Sequence, residues 1–302
     1  MAVIKPFKSI RPRKGLEDKI AALPYDVYNR SEAKQAVKDN PLSFLNIDRP
    51  ETQYDDDFDM YSDESYQTAA RLLDCMLERN EYIRDDKAYY YIYELTMNGR
   101  AQTGIVAVAS VDDYINETIK KHENTRADKE LDRIRHVDTL SAQTGPIFLA
   151  YKSNEAINSI VDKVKTTEPL YDFVSDDLIS HRVWIISDSD DISCIQDAFS
   201  TINSIYIADG HHRCASAVKV SLKRRQEKPD YTGDEEFNYF LSVLFPDNQL
   251  MIMDYNRVIK DLNGKTEAEI IDELKKVGTL TTLNSEDKHP VKKGDVSVYI
   301  GS

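Results

Sequence analysis

The stretch SIYIADGHHRCASAVKV, residues 204–220, sets Asp209, Gly210, His211, His212 and Arg213 in a row between an apolar run and a helix-forming run. The pattern predicts a buried strand, a tight turn at Gly210 and a helix capped by Asp209. A helix start already carries about half a unit of positive charge, so cationic side chains placed there are unfavourable by themselves. An anion seated on the free N–H groups of residues 210–213 removes the conflict. Arg213 can grip a phosphate with two N–H donors, and His211 and His212 can add others. Asp209 is a candidate for a catalytic carboxylate and for a ligand of a phosphate-bound metal ion. Each residue also has an ordinary reading: a cap, an arginine paired with an acid, neutral histidines. The phosphate loop GxxxxGK[ST] does not occur.

Two other stretches hold groups of the right kind. In KKHENTRADKELDR, Glu123 could serve as general base or metal ligand with His122 orienting it, and Thr125 and Arg126 stand close by. The ordinary reading is a solvated, ion-paired helix face. In ALPYDV, Tyr25 and Asp26 follow Pro24 in a loop, where binding groups often sit and where Asp also simply forms turns. A zinc site from His122, His211 and His212 matches none of the standard ligand spacings. His136, His181 and His289 read as structural or exposed.

The elements around these residues point to an α+β fold of mixed sheets and separated helices. A helix is expected from Ser31, another over 64–80, and a hairpin at Asn98-Gly99 between two β-branched and aromatic runs. The segment 114–142 is helical in composition and places His122 and Glu123 in a helix; Gly145-Pro146 stops it. Strands are expected at IFLAY, HRVWIIS, FNYFLSVLF, LMIMDYNRVI and the terminal VSVYIGS, with an acidic loop DSDDIS between two of them. Thr266 and Glu269 form a capping box for EAEIIDELKKV. A soft boundary near residue 110 would divide an N-terminal α+β region, 1–110, from a second domain, 111–302.

With 302 residues, 41% hydrophobic and 30% charged, the chain can bury a sizeable core. Its formal net charge of −14 opposes nucleic-acid binding unless a basic patch is concentrated somewhere, and Lys223, Arg224 and Arg225 make only a short one. Three cysteines, Cys75, Cys194 and Cys214, have no metal-ligand spacing and read as reduced thiols. No run approaches the ~18 apolar residues of a membrane span or forms a signal peptide, so the expectation is a soluble cytoplasmic protein without a membrane partner.

The set PFKSIRP, LPYDV, NPLSFLNIDRPE, IKKHENTRADKELDR, TGPIFLAY and YIADGHHRCASA resembles an uncharacterised prokaryotic family, domain of unknown function number 1015, over nearly the whole chain. That resemblance implies a further C-terminal piece. Over about residues 111–245 the DGHHR turn is similar to the phosphate-binding turn of the ParB and sulfiredoxin superfamily, and most of all to ParB-like free-serine kinases. This second likeness implies a nucleotide-binding core, ATP or ADP with Mg²⁺ as cofactors, and free L-serine or another hydroxyl compound as acceptor. It implies phosphate binding at Gly210, His211, His212 and Arg213 and catalysis by Glu123 with Asp209; on the enzyme reading, Tyr25, Asp26, His122, Thr125 and Arg126 are the candidates for contacting the substrate. The alternative is a nucleotide-dependent switch or binding module without kinase activity.

Overall fold

The computed structural model describes residues 1–253, 256–283, 289–290 and 292–300, with residues 128 and 129 described in backbone only. It falls into two units, residues 1–250 and 251–302.

The first unit is a mixed α+β structure. Its strands are β1 (Ile4–Lys5), β2 (Ile10–Pro12), β3 (Tyr82–Arg84), β4 (Tyr90–Met97), β5 (Arg100–Ser110), β6 (Ile119–Lys120), β7 (Ile147–Tyr151), β8 (Tyr171–Val174), β9 (Ser180–Ile186), β10 (Ile205–Asp209) and β11 (Tyr239–Pro246). Its helices are α1 (Glu17–Ile20), α2 (Arg30–Val37), α3 (Leu45–Asp48), α4 (Asp63–Glu78), α5 (Val111–Ile115), α6 (Ala127–Leu140), α7 (Glu155–Lys165), α8 (Ser189–Ser200) and α9 (His211–Glu227). A nine-stranded sheet runs β6-β10-β7-β11-β5-β4-β9-β8, and β1 pairs with the far end of β5. Strands from both sides of residue 110 thus share one sheet. The ribbon β2–β3 stands apart.

The β4–β5 hairpin turns through Asn98 and Gly99, both at positive φ, 51° and 77°. A two-residue turn matched to strand twist demands this. β5 is 11 residues long and has room for two partners on one edge: β4 covers Arg100–Val106 and β1 takes Val108 and Ala109. The main core joins the sheet residues Tyr90, Ile92, Ile105, Leu149, Phe240 and Leu244 to α7, α8 and α9 through Ile157, Phe199 and Cys214. A smaller core unites α1, α3, α4 and β3 around Ile20, Ile47, Leu73 and Tyr82. All three cysteines are free thiols.

Several expectations require correction. The helix expected over 114–142 is two helices: Glu117 at φ 63° ends α5, and Ile119–Lys120 then pair in parallel with Ile205–Tyr206. Burial of Ile119 on that strand pulls the chain out of helix, so His122 and Glu123 lie in a loop before α6. The expected acidic loop DSDDIS is the first turn of α8, whose Asp188 accepts hydrogen bonds from the N–H groups of Asp190 and Asp191. Asn29, not Ser31, caps α2, in a reciprocal box with Glu32.

In the second unit α10 (Glu267–Val277) opens on the Thr266–Glu269 capping box as expected. Residues 250–253 and 256–259 of LMIMDYNRVI form no strand, and residues 296–300 of VSVYIGS form none; 254, 255, 301 and 302 lie outside the described residues. An apolar run becomes a strand only where a partner completes its backbone hydrogen bonds. Among the described residues no helix is long and apolar enough to cross a membrane.

Candidate functional site

The apolar alternation of Ile205 and Ile207 buries β10 against β7, and a bulge between Ile207 and Asp209 breaks their register just before the turn. Bulges bend a strand and re-aim the residues after them. Gly210 follows at φ 90°, ψ 30°, a left-handed conformation that a side chain would strain. The expected cap is corrected here: Gly210, not Asp209, holds the N-cap position, and no side chain caps α9. Asp209 remains in the strand, and its carboxylate turns to Arg213 at 2.6 Å. The first N–H groups of α9 therefore lack both an intrahelical acceptor and a capping side chain.

Arg213 sits in a slot between two glycines. A Cβ at Gly210 would meet its guanidinium at 3.2 Å, and one at Gly145 would meet Nη1 at 3.3 Å. Nη1 donates to the Pro146 carbonyl at 2.6 Å, and Nη2 donates to Asp209 Oδ2. The pair Gly145-Pro146 thus shapes the arginine's slot as well as ending a segment.

His211 carries less charge than the sequence suggests. His211 is 6% exposed. Burial lowers its pKa below 6.5, His122 lowers it further, and Glu123 pulls the other way. At neutral pH it is a neutral ring, edge-on to His122 with centroids 4.5 Å apart and Nδ1 3.7 Å from Glu123 Oε2. Its buried Nε2 has no partner among the described residues. His212 Nε2 accepts a hydrogen bond from the Arg126 backbone N–H at 3.1 Å. The opening conflict is thereby reduced: Arg213 is the formal cation of the first turn, and Asp209 balances it.

The first segment supplies the other wall. Tyr25 and Asp26 form a 3₁₀ turn. Its carbonyls are held by buried Arg49, whose Nη1 donates to Tyr25 O at 2.9 Å and Tyr28 O at 2.7 Å while Nε pairs with Glu51 at 2.5 Å. The Tyr25 ring stacks on the Arg133 guanidinium at 4.0 Å. Arg133 is itself buried, paired with Asp132 at 2.9 Å and 3.9 Å from Asp48. Spacing alone does not single out Arg49, Glu51 or Arg133. The charges in LNIDRPE are the only sign of the first two, and nothing local says that they are buried.

Tyr25 and Asp26, then Glu123, then Asp209 through Arg213 line one cleft of about 70 Å³. Three separated parts of the chain therefore meet there. That volume is far below the ~300 Å³ of a pocket enclosing a drug-sized ligand, so the cleft has room for a phosphate-sized group. His122 joins through its contact with His211. Thr125 and Arg126 are not in the lining: Thr125 Oγ1 donates to buried Glu130, and Arg126 meets His212 through its backbone. Burial raises the Glu130 pKa, but hydrogen bonds from Lys219 and Thr125 outweigh that and hold it below the usual carboxylate range. Glu130, missed in the sequence, ties the 121–126 loop to α9.

Among the described residues no group of three or more His, Cys, Asp and Glu side chains is placed to hold a metal ion. Mg²⁺ needs only one or two carboxylates when phosphate oxygens and water complete its shell, and Asp209 and Glu123 could supply them.

No curated protein and no solved structure matches the chain. Residues 4–302 match the family described as protein of unknown function (DUF1015), and the chain belongs to that family.

Proposed function

We propose that the cleft binds the phosphate end of ATP or ADP and that the protein transfers the terminal phosphoryl group to a small hydroxyl compound such as free L-serine. The observation that carries this reading is the uncapped start of α9, with Arg213 slotted beside it and a carboxylate, Glu123, at the same cleft. The order of β10, Gly210 and α9, with an arginine in the first turn, supports the likeness to the ParB and sulfiredoxin turn. Such likeness supports binding; activity must come from the site itself.

An incoming phosphate takes the place of Asp209 as partner of Arg213, accepting hydrogen bonds from the guanidinium and from the first N–H groups of α9. Mg²⁺, when bound, supplies charge neutralisation across the phosphate oxygens, and Asp209, released from Arg213, is the carboxylate to hold it. Glu123 accepts the proton of the acceptor hydroxyl. That oxygen bonds to phosphorus as the phosphorus–oxygen bond to the nucleotide breaks, and the nucleotide leaves with the electron pair. Tyr25, Asp26 and His122 meet the acceptor; Thr125 and Arg126 act through Glu130 and His212. The nucleoside lies outside the cleft, which has no room for it.

A second reading, a nucleotide-dependent binding module, is favoured by one observation. The Glu123 side chain is 62% exposed. It so lacks the burial that tunes many general bases. Incubation with ATP or ADP, Mg²⁺ and L-serine separates the two. The first reading expects phosphoserine from the parent protein and none from Glu123→Gln, which still binds nucleotide. Nucleotide binding without phosphoserine or any other phosphorylated acceptor selects the module, and no nucleotide binding removes both.

A further inference from the structure

The first unit holds a second and larger cavity, about 910 Å³, between the β1–β5–β11 part of the sheet and the helices α4, α6 and α9. This volume lies within the ~300–1,000 Å³ of small-molecule sites. Its walls are largely apolar: Phe7, Phe44, Leu73, Tyr82, Val108 and Leu241.

The β2–β3 ribbon gives the cavity its charge. Ile10 pairs with Arg84 and Pro12 with Tyr82, so these side chains share one face. Lys8, in the segment just before β2, also lines the cavity. The other face carries Ser9, Arg11 and Asp85, where Arg11 Nε donates to Asp85 at 3.0 Å and Ser9 Oγ donates to it at 2.8 Å. Arg11 is thereby neutralised. The side chains of Lys8 and Arg84, both in the cavity lining, have no hydrogen bond or ion pair among the described residues. Four cationic and three acidic residues line the cavity of a chain whose net charge is −14. Lys5 and Asp234 pair with each other at 2.8 Å, Arg224 pairs with Asp138 and Glu235 accepts from the Thr232 and Gly233 amides, which leaves Lys8 and Arg84 against one exposed acid, Glu236.

We propose that this cavity is a binding site for an amphipathic carboxylate, an aliphatic or aryl acid whose apolar body lies along Phe44, Tyr82 and Leu241 and whose carboxylate meets Lys8 and Arg84. Apolar walls supply most of the affinity and the two free cations set orientation and charge preference. The site is independent of the nucleotide cleft.

Calorimetric titration of the full chain with dodecanoate, dodecan-1-ol, dodecylammonium and succinate tests this. Dodecanoate is expected to bind one to one and at least about tenfold more tightly than the alcohol, with no binding of succinate or dodecylammonium. The Lys8→Ala/Arg84→Ala double variant, changed only at exposed positions, should erase the acid-over-alcohol preference and keep the alcohol's affinity. Leu241→Trp should block both ligands, and its melting temperature checks that it folds. Equal binding of acid and alcohol by the parent, a preference that survives the double variant, binding that a folded Leu241→Trp retains, or no binding of dodecanoate overturns the proposal.

Discussion

Asp188 and Gly210 open two helices of the same unit in opposite ways. At α8 the Asp188 carboxylate accepts from two first-turn N–H groups, at 3.1 and 3.0 Å, and the residues after it are acidic. Dipole, cap and charge all agree, and the helix start is chemically satisfied. At α9 a left-handed glycine stands where the cap would be, the first turn reads His-His-Arg, and no side chain reaches the backbone donors. The carboxylate of the preceding residue, Asp209, faces Arg213 instead. The same unit thus holds a helix start closed by its own carboxylate and one left open by its own side chains, and the proposed function assigns an external acceptor to the second. His211 is buried and neutral there, so the turn keeps its cationic residue types while limiting the charge it bears in the absence of an anion.

The largest effect is expected at Arg213. Arg213→Ala removes two charge-assisted donors at a partly exposed site, and nucleotide affinity measured by calorimetry should fall about 100-fold. Asp188→Ala, the matching change at α8, should leave that affinity untouched; equal losses would erase the contrast between the two helix starts. Gly210→Ala comes next. It forces a side chain into the left-handed region at a cost of about 1–2 kcal/mol in denaturant unfolding. Its methyl also displaces the Arg213 guanidinium, so binding should weaken with stability. Asp188→Ala should cost about 1 kcal/mol, the value of a lost cap.

The strand, the turn at Gly210 and the helix after it were legible because their signals are local: an apolar run, a glycine and a helix-forming run. The Asn98-Gly99 hairpin and the Thr266–Glu269 box were legible for the same reason. Elements fixed by distant partners were not. Two-residue β6 has no period to detect and exists because Ile119 finds Ile205 far along the chain. The acidic start of α8 looks like a polar loop until Asp188 is seen to cap it. Likewise Arg49 and Arg133 look like surface charges, yet they are buried and hold Tyr25 from behind. The meeting of Tyr25, Glu123 and the DGHHR turn in one cleft belongs to that second kind of information.

Acidification should give the smallest separation. Burial holds His211 and His136 below their ordinary value of 6.5. Between that value and the folded pKa the unfolded chain binds more protons, so their contribution is complete above about pH 6.5 and declines as pH falls through that window. The melting temperature should therefore drop from pH 7 to pH 5. His211→Gln should flatten part of that slope, whereas Asp188→Ala should not; a pH slope unchanged by His211→Gln would show that the ring is not held neutral at the α9 start.

Amide resonances followed while ATP and Mg²⁺ are added compare the two helix starts in one sample. Saturable shifts are expected at Gly210, His211, His212 and Arg213 and none at Asp190 and Asp191. Silence at residues 210–213, or equal movement at both sites, would contradict an external acceptor at the α9 start.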